Sequence, residues 1–399
     1  MAALDGLRIL DLTQFEAGTS CTQALAWLGA DVVKVEEPGQ GDPGRSVGFG
    51  EDTDNYSAYF CNWNCNKRSV AINLRKPEGK DLILKMLPRF DVFIENYGPD
   101  SMERMGLDYE SLRAVHPSLI VARIKGFGLS GPHAGYKSYD SVAQAAAGAF
   151  SVTGEADGPP INPGSTVGDS GTGIQMGMAI LAAYVQRLRT GEGQQIEISM
   201  QEAMAYFMRT RIGVFAEWGN VAAPRMGNSQ ALPPVDLYPC KPFGANDWAF
   251  MMPIAAHDWD ALCSAIDRPE LTLDERMLTP ISRLENRDEL YEIISDWTKQ
   301  HTKEEAMTIL GEAGVPCSAV MDTHDLFNDP HLIARDFIKK MQLPHHGEVS
   351  MLGFAPRLSA SEVDMQPAPL LGEHTHAVLA DELNLSDAEI VDLESNGVI

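Results

Sequence analysis

The first third of the chain alternates between short apolar runs and amphipathic stretches. "LRILDLT" (7–13) is a run of strand type, "SCTQALAWLGA" (20–30) has helical spacing, and "DVVKVEEP" (31–38) is a second strand stopped by proline. Strand, turn, helix and strand in about thirty residues make a βαβ unit, which predicts parallel strands and a right-handed crossover. The pattern repeats. "SVAINL" (69–74) leads into the helix "PEGKDLILKML" (77–87) and the strand "DVFIENY" (91–97). Two short helices, "SMERMG" and "YESLRAVHP", precede a further strand, "LIVARIKGFG" (119–128). A doubly wound α/β layer is expected.

Residues 139–190 read as mostly helical and "QQIEISM" (194–200) as a strand. Residues 201–240 begin helical and turn irregular around "APRMGNSQALPP". A fresh pattern follows: strand "WAFMMPI", three helices ("DWDALCSAI", "RDELYEIISDWTKQ", "KEEAMTIL") and strand "CSAVM", as in a smaller α/β domain. Proline and glycine recur across 343–372, and a last helix is expected over 377–396. A chain of 399 residues suits two domains better than one core.

The formal net charge of −25 argues against nucleic acid as a partner, because that needs clustered Lys and Arg. No apolar run reaches the length of a membrane span, and "MAALDGLRILDLTQF" has no signal-peptide pattern. Six cysteines in this length fit a reducing, cytoplasmic setting. Cys61 and Cys65 in "CNWNC" have no matching Cys/His pair nearby, so no metal is expected. The turn after the first strand, "TQFEAGTS", has one glycine and no G-x-G-x-x-G, so NAD and FAD are not supported.

"VGDSGTG" (167–173) resembles the surroundings of a protease serine. Ser170 in that role needs a histidine and an aspartate earlier in the chain, on an all-β fold. "AAHDW" (255–259) comes after it, and no G-x-S-x-G elbow occurs. Asp169 has two readings. It can cap the helix that follows. It can also be a carboxylate nucleophile, with Gly164, Gly168, Gly171 and Gly173 clearing space around it and helix N–H groups nearby for an oxyanion. Basic residues recur after successive strands in an otherwise acidic chain. They are Lys67, Arg68, Arg75, Lys76 and Lys80, then Arg104, then Lys125. Strand C-terminal ends are where doubly wound sheets bind ligands, so these suggest a phosphate-bearing anion.

"LDGLRILDLTQFEAG", "WLGADVVKVEEPGQGDPGR", "NCNKRSVAINLRKPEGK", "ENYGPDSMERMGLDYE", "YDSVAQAAAGAF", "GDSGTG", "RTGEGQQIEISMQEA" and "APLLGEHT" occur in this order over nearly the whole chain. Together they resemble the class III (CaiB/BaiF-type) coenzyme A transferases, which include formyl-CoA transferase and have the α-methylacyl-CoA racemases as relatives. The resemblance implies a large Rossmann-like domain built from both termini, a small α/β domain, and an interlocked-ring homodimer. The boundaries expected are 1–200 for the large CoA-binding domain, 201–230 for a linker, and 231–325 for the small domain. A second linker follows at 326–365, then the return to the large domain at 366–399. The resemblance implies a catalytic aspartate at Asp169 and transfer of CoA between an acyl-CoA and a carboxylic acid through aspartyl anhydride and aspartyl-CoA thioester intermediates. It implies no permanently bound cofactor and no metal. CoA-contacting positions that match are Glu16, Ala17, Arg75, Asn96, Tyr97, Arg104, Lys125, Lys137 and Met200.

The sequence departs from formyl-CoA transferases in two places. Glu16 stands where they carry glutamine, and no tetraglycine loop occurs between 230 and 260. Both departures point away from formyl-CoA and oxalate as the substrate pair. The racemase alternative, chemistry at the α-carbon of an acyl-CoA, needs a histidine just before Asp140. Tyr139 stands there, and His133 lies too far upstream.

Overall fold

The computed structural model describes residues 1–48, 55–229 and 232–399. The chain begins with β1 (Arg8–Leu12), α1 (Thr19–Ala26), β2 (Asp31–Glu36), α2 (Ala58–Asn64), β3 (Lys67–Ala71), α3 (Pro77–Met86) and β4 (Val92–Glu95). It continues with α4 (Ser101–Met105), α5 (Tyr109–Val115), β5 (Ile120–Lys125), α6 (Asp140–Ala146), α7 (Ala149–Val152), α8 (Val167–Thr190) and β6 (Gln195–Ser199). Next come α9 (Met200–Phe207), α10 (Arg209–Phe215), β7 (Asp236–Pro239), β8 (Trp248–Met251), α11 (Ala256–Ala265), α12 (Pro280–Glu285), α13 (Arg287–Thr298) and α14 (Lys303–Glu312). The last elements are β9 (Cys317–Ala319), α15 (Thr323–Asn328), α16 (Pro330–Ala334), β10 (Ile338–Leu343), β11 (Gly347–Leu352), α17 (Thr375–Leu383) and α18 (Asp387–Ser395).

Two compact units result, one of residues 1–149, 162–213 and 336–399, the other of 150–161 and 214–335. The first holds a six-stranded sheet in the order β3-β2-β1-β4-β5-β6, every pair parallel. Its central strands are buried on both faces, which explains their near-continuous apolar runs. Successive residues of β1 feed opposite layers. Leu10 and Leu12 pack with Val33, Phe93 and Ile83, and Ile9 packs with Ile94, Leu25 and Met176. Val378, Leu379 and Ile390 of α17 and α18 join the first of these layers, so both termini build this unit. The expected α/β class is the class observed.

The second unit carries the antiparallel sheet β7-β8-β9. Its core gathers Tyr238, Met251, Trp259, Leu262, Leu290, Ile294 and Leu310.

Two stretches differ from their sequence reading. Residues 338–352 pair as the antiparallel hairpin β10–β11 where only irregular chain was expected. Met341, Leu343 and Met351 are its buried side, a signal shortened by the charged residues between them. The helix expected over 377–396 is broken. Asn384 turns left-handed at φ +56°, and Ser386 starts α18 by accepting the Glu389 N–H. Residues 200–215 are helical before the chain becomes irregular.

Helix α8 is the long element of the first unit and crosses α1 closely. A Cβ on Gly173 would sit 2.7 Å from the Ala17 carbonyl oxygen and 2.1 Å from Ser20 Oγ. A Cβ on Gly177, one turn on, would meet only Cys21 Sγ at 3.8 Å. Gly173→Ala must therefore push the helices apart, at a cost of about 1–3 kcal/mol. Gly177→Ala should stabilise by roughly 0.5–1 kcal/mol, because it gains helix propensity at ordinary contact distance. Thermal melts of the two variants should move in opposite directions. A shared direction would contradict the packing described.

Candidate active site

The strand order reverses between β1 and β4, and the crevice beyond the strand ends at such a point is where parallel sheets bind ligands. The turn leaving β1 is held there by buried side chains. Asp11 accepts the Thr13 N–H at 2.8 Å and the hydroxyls of Thr13 and Thr22 at 2.6 Å each. It also pairs with Lys67 Nζ at 3.2 Å. Lys34 Nζ donates to the Thr13 carbonyl at 2.6 Å and pairs with Asp42 at 2.8 Å. Asn96, just past β4, accepts the Gln14 N–H and donates to the Gln14 carbonyl, both at 2.8 Å. Burial alone would push the Asp11 carboxyl up, but Lys67 and Lys34 hold it below the usual range. Burial brings Lys67 down to about 8 despite its pairing with Asp11.

This turn delivers Glu16 and Ala17 to the start of α1, where Gly173 lets α8 close in. Two readings of "VGDSGTG" are corrected. α8 begins at Val167 with Thr166 at the cap position, so Asp169 lies inside the first turn and is not the cap, and Ser170 is not the first helical residue. The helix can start earlier because Asp140 of α6 accepts the Asp169 N–H at 3.1 Å, supplying an acceptor that a cap side chain would otherwise provide. The glycines mostly serve packing. A Cβ on Gly168 would meet the Asp140 carbonyl at 2.6 Å and one on Gly171 the Phe207 ring at 2.8 Å, and only Gly164 faces open space.

A cavity of about 260 Å³ opens at the crevice. Of the ten site residues expected from sequence, Asp169, Ala17, Asn96, Tyr97, Lys125, Lys137 and Met200 line it. Asn96 is also the clamp on Gln14. Lys125, 5% exposed, is tied to Glu95 at 2.8 Å and to the Tyr97 carbonyl at 2.6 Å, so it braces the wall as well as carrying charge. Glu16 is 3% exposed and accepts the Thr166 hydroxyl at 2.6 Å. Arg75 and Arg104 are not brought to the cavity wall. Arg75 is exposed, 3.8 Å from Glu37, and Arg104 is exposed on α4, donating to Ser101 Oγ at 3.1 Å. Of the remaining basic residues read as an anion signal, Lys67 is buried on Asp11, and Arg68 pairs with Asp31 at 2.7 Å.

Asp140 and Tyr59 belong to the site and were not among its expected residues. Asp140 accepts from the Asp169 N–H and from Gln144 Nε2, the latter at 2.7 Å. The sequence had pointed to it only through the racemase alternative, whose histidine would stand just before it. Burial, then Glu16, Asp169, Asp42 and Asp140, push the Tyr59 hydroxyl up.

Burial, then Glu16 and Asp140, push the Asp169 carboxyl up to about 7. Glu16 is also pushed up to about 7 by burial, which the Thr166 hydrogen bond opposes and repulsion from Asp140 reinforces. Among the described residues no cation pairs with any of the three carboxyls, and no His/Cys/Asp/Glu group is arranged to hold a metal. Nor is any helix among them long and apolar enough to cross a membrane.

The profile of CoA-transferase family III matches residues 4–375. The chain belongs to CoA-transferase family III. It is a CoA-transferase, of a family that uses CoA thioesters as substrates. It is 39% identical to the formyl-CoA:oxalate CoA-transferase of Streptomyces avermitilis and 38% identical to that of Streptomyces coelicolor, covering 100% of this chain and 99% of each relative. The crystal structure of a CaiB/BaiF family protein from Brucella suis superposes with a TM-score of 0.84 at 31% identity, over 96% of this chain and 99% of that one. No histidine is among the residues lining the CoA-transferase's cavity, and Tyr139 lines it at the position where the racemase alternative needs one.

The raised carboxyls set a pH dependence of stability. With a folded-state value near 7, Glu16 contributes stability at low pH that is lost as pH rises through about 7. Glu16→Gln should therefore be more stable than wild type by about 1–3 kcal/mol at pH 8, with the gain shrinking towards pH 5. Thermal melts at the two pH values measure it. An equal loss at both would mean that Glu16 is not strained by its neighbours.

Proposed function

We propose that this CoA-transferase moves CoA between an acyl-CoA donor and a carboxylic acid acceptor by covalent catalysis on Asp169. The observation that carries the reading is the Asp169 carboxyl itself. It lines the cavity, is unpaired with any cation among the described residues, and is raised towards neutrality by burial, then by Glu16 and Asp140. A carboxylate whose charge is disfavoured gains most when that charge is consumed in a bond.

In the scheme, an Asp169 oxygen attacks the donor thioester carbonyl. The carbon–sulfur bond breaks, leaving an aspartyl–acyl anhydride and CoA thiolate. The thiolate attacks the aspartyl carbonyl and releases the donor carboxylate, leaving aspartyl-CoA thioester. An acceptor carboxylate then displaces CoA to form a new anhydride. The thiolate attacks its acyl carbonyl, giving the new acyl-CoA and restoring the Asp169 carboxylate. Each step exchanges one activated carboxyl for another, so no ATP is needed. Ala17, Asn96, Tyr97, Lys125, Lys137 and Met200 are the CoA-contacting residues of this reading that line the cavity, and Glu16 is a charged neighbour of Asp169, held by Thr166. Arg75 and Arg104 serve in it only for parts of CoA outside the cavity.

Asp169→Ala should abolish exchange between acyl-CoAs and acids followed by mass spectrometry, and Ser170→Ala should keep it. Hydroxylamine added with donor should leave a hydroxamate at Asp169. Because the nucleophile is the ionised form, kcat/KM should fall below about pH 7 and level off above it. Exchange surviving in Asp169→Ala would overturn the scheme.

A homodimer is part of this reading. Ile174, Met178, Val185 and Leu188 are exposed along one helix, α8, an apolar stripe that a second copy would cover. Sedimentation at micromolar concentration should give twice the chain mass of 43.5 kDa, and a single-chain mass would refute the assembly.

A further inference from the structure

Asp169 has two carboxyl neighbours on separate elements. Glu16 comes from the turn after β1 and is fixed by the Thr166 hydroxyl at 2.6 Å, three residues before Asp169. Asp140 comes from the start of α6 and is fixed by the Asp169 N–H at 3.1 Å and Gln144 at 2.7 Å. No ion pair offsets either among the described residues. The buried cation of the cavity, Lys125, is already paired with Glu95.

The consequence is sharpest when the acceptor arrives. In the scheme proposed above, on which this inference rests, Asp169 is then a thioester and uncharged. The acceptor carboxylate must reach an aspartyl carbonyl that has Glu16 and Asp140 as neighbours, bringing one negative charge of its own. A second carboxylate on a short acceptor would add repulsion beside the buried Glu16, where like charges a few ångströms apart are screened less than in bulk water. A cationic group on the acceptor would be attracted by the same two side chains.

We propose that Glu16, set beside Asp169 by its hydrogen bond to Thr166 and acting with Asp140, is a specificity-determining residue that selects acceptor acids with one negative charge over short dicarboxylates. Acids with a cationic tail are favoured further. The size of Glu16 matters less than its charge, since the glutamine isostere can still accept the Thr166 hydroxyl.

The test uses the full chain at pH 8, above the value of about 7 to which Glu16 is pushed, with acetyl-CoA and formyl-CoA as donors. The acceptors are butanoate, butanedioate and 4-aminobutanoate, matched in length and differing in charge. Wild type should rank them 4-aminobutanoate, butanoate, butanedioate by kcat/KM. Glu16→Gln should raise the butanedioate-to-butanoate ratio by about tenfold, the change expected for about 1.4 kcal/mol of relieved repulsion. Glu16→Asp, which keeps the charge, should retain the wild-type order. A wild type that prefers butanedioate, or a ratio unmoved in Glu16→Gln, would overturn the assignment while leaving the transfer reaction intact. Absence of exchange with every acid, together with no hydroxamate at Asp169, would overturn both.

Discussion

The close crossing of α8 over the start of α1 is the contact on which the site depends. The crossing is possible because Gly173 has no Cβ where the Ala17 carbonyl would be 2.7 Å away. Its effect is to hold two chain segments, about 150 residues apart in sequence, in one register. Thr166, at the cap position of α8, then reaches Glu16, and Asp169 in the first turn reaches the cavity. Gly168 does the same towards α6, where a Cβ would collide with the Asp140 backbone. The carboxyls are brought together by helix packing, and the fold's stability opposes their repulsion.

Charge is distributed accordingly. Near the strand ends, buried cations are matched closely: Lys67 with Asp11, Lys34 with Asp42, Arg45 with Glu36 and Lys125 with Glu95. These pairs fix the turn and the cavity wall, and breaking one would leave a buried charge without its partner. The carboxyls around Asp169 receive no such match. That contrast marks them out within an acidic chain, because carboxylates are plentiful but a buried Glu16 beside two half-buried aspartates, with no cation paired to them among the described residues, is uncommon.

The sheet was legible in the sequence because parallel strands buried on both faces read as plain apolar runs, as in "LRILDL" and "DVFIE". Asp169 was legible from its neighbours in the chain, although its place in the helix was not. Helix starts are set by whatever satisfies the first N–H groups, and here that acceptor, Asp140, sits 29 residues upstream. The glycines around Asp169 carried a real signal with the wrong reason attached, since closeness of backbone and openness to a ligand both call for glycine. Lys67 looked like an exposed cation because no local pattern reveals a buried pairing with Asp11, which is 56 positions away. The hairpin β10–β11 was hidden by charged residues on its open face, and the break at Asn384 by a helical pattern that resumes after it.

In the proposed scheme, chemistry favours Asp169 over the residue after it as the nucleophile. Ser170 Oγ donates to the carbonyl of Thr166, the cap residue of its own helix, at 2.8 Å, and among the described residues no histidine lines the cavity to take its proton. A serine would also form an oxygen ester, too stable to return its acyl group to a thiol. An acyl group held on a carboxylate is an anhydride, and CoA held there is a thioester, so every intermediate stays within reach of the next exchange. Repulsion from Glu16 and Asp140 pushes the same way. With burial, it raises the free energy of the ionised carboxylate, and in the proposed scheme it is relieved in both covalent forms, where Asp169 carries no charge.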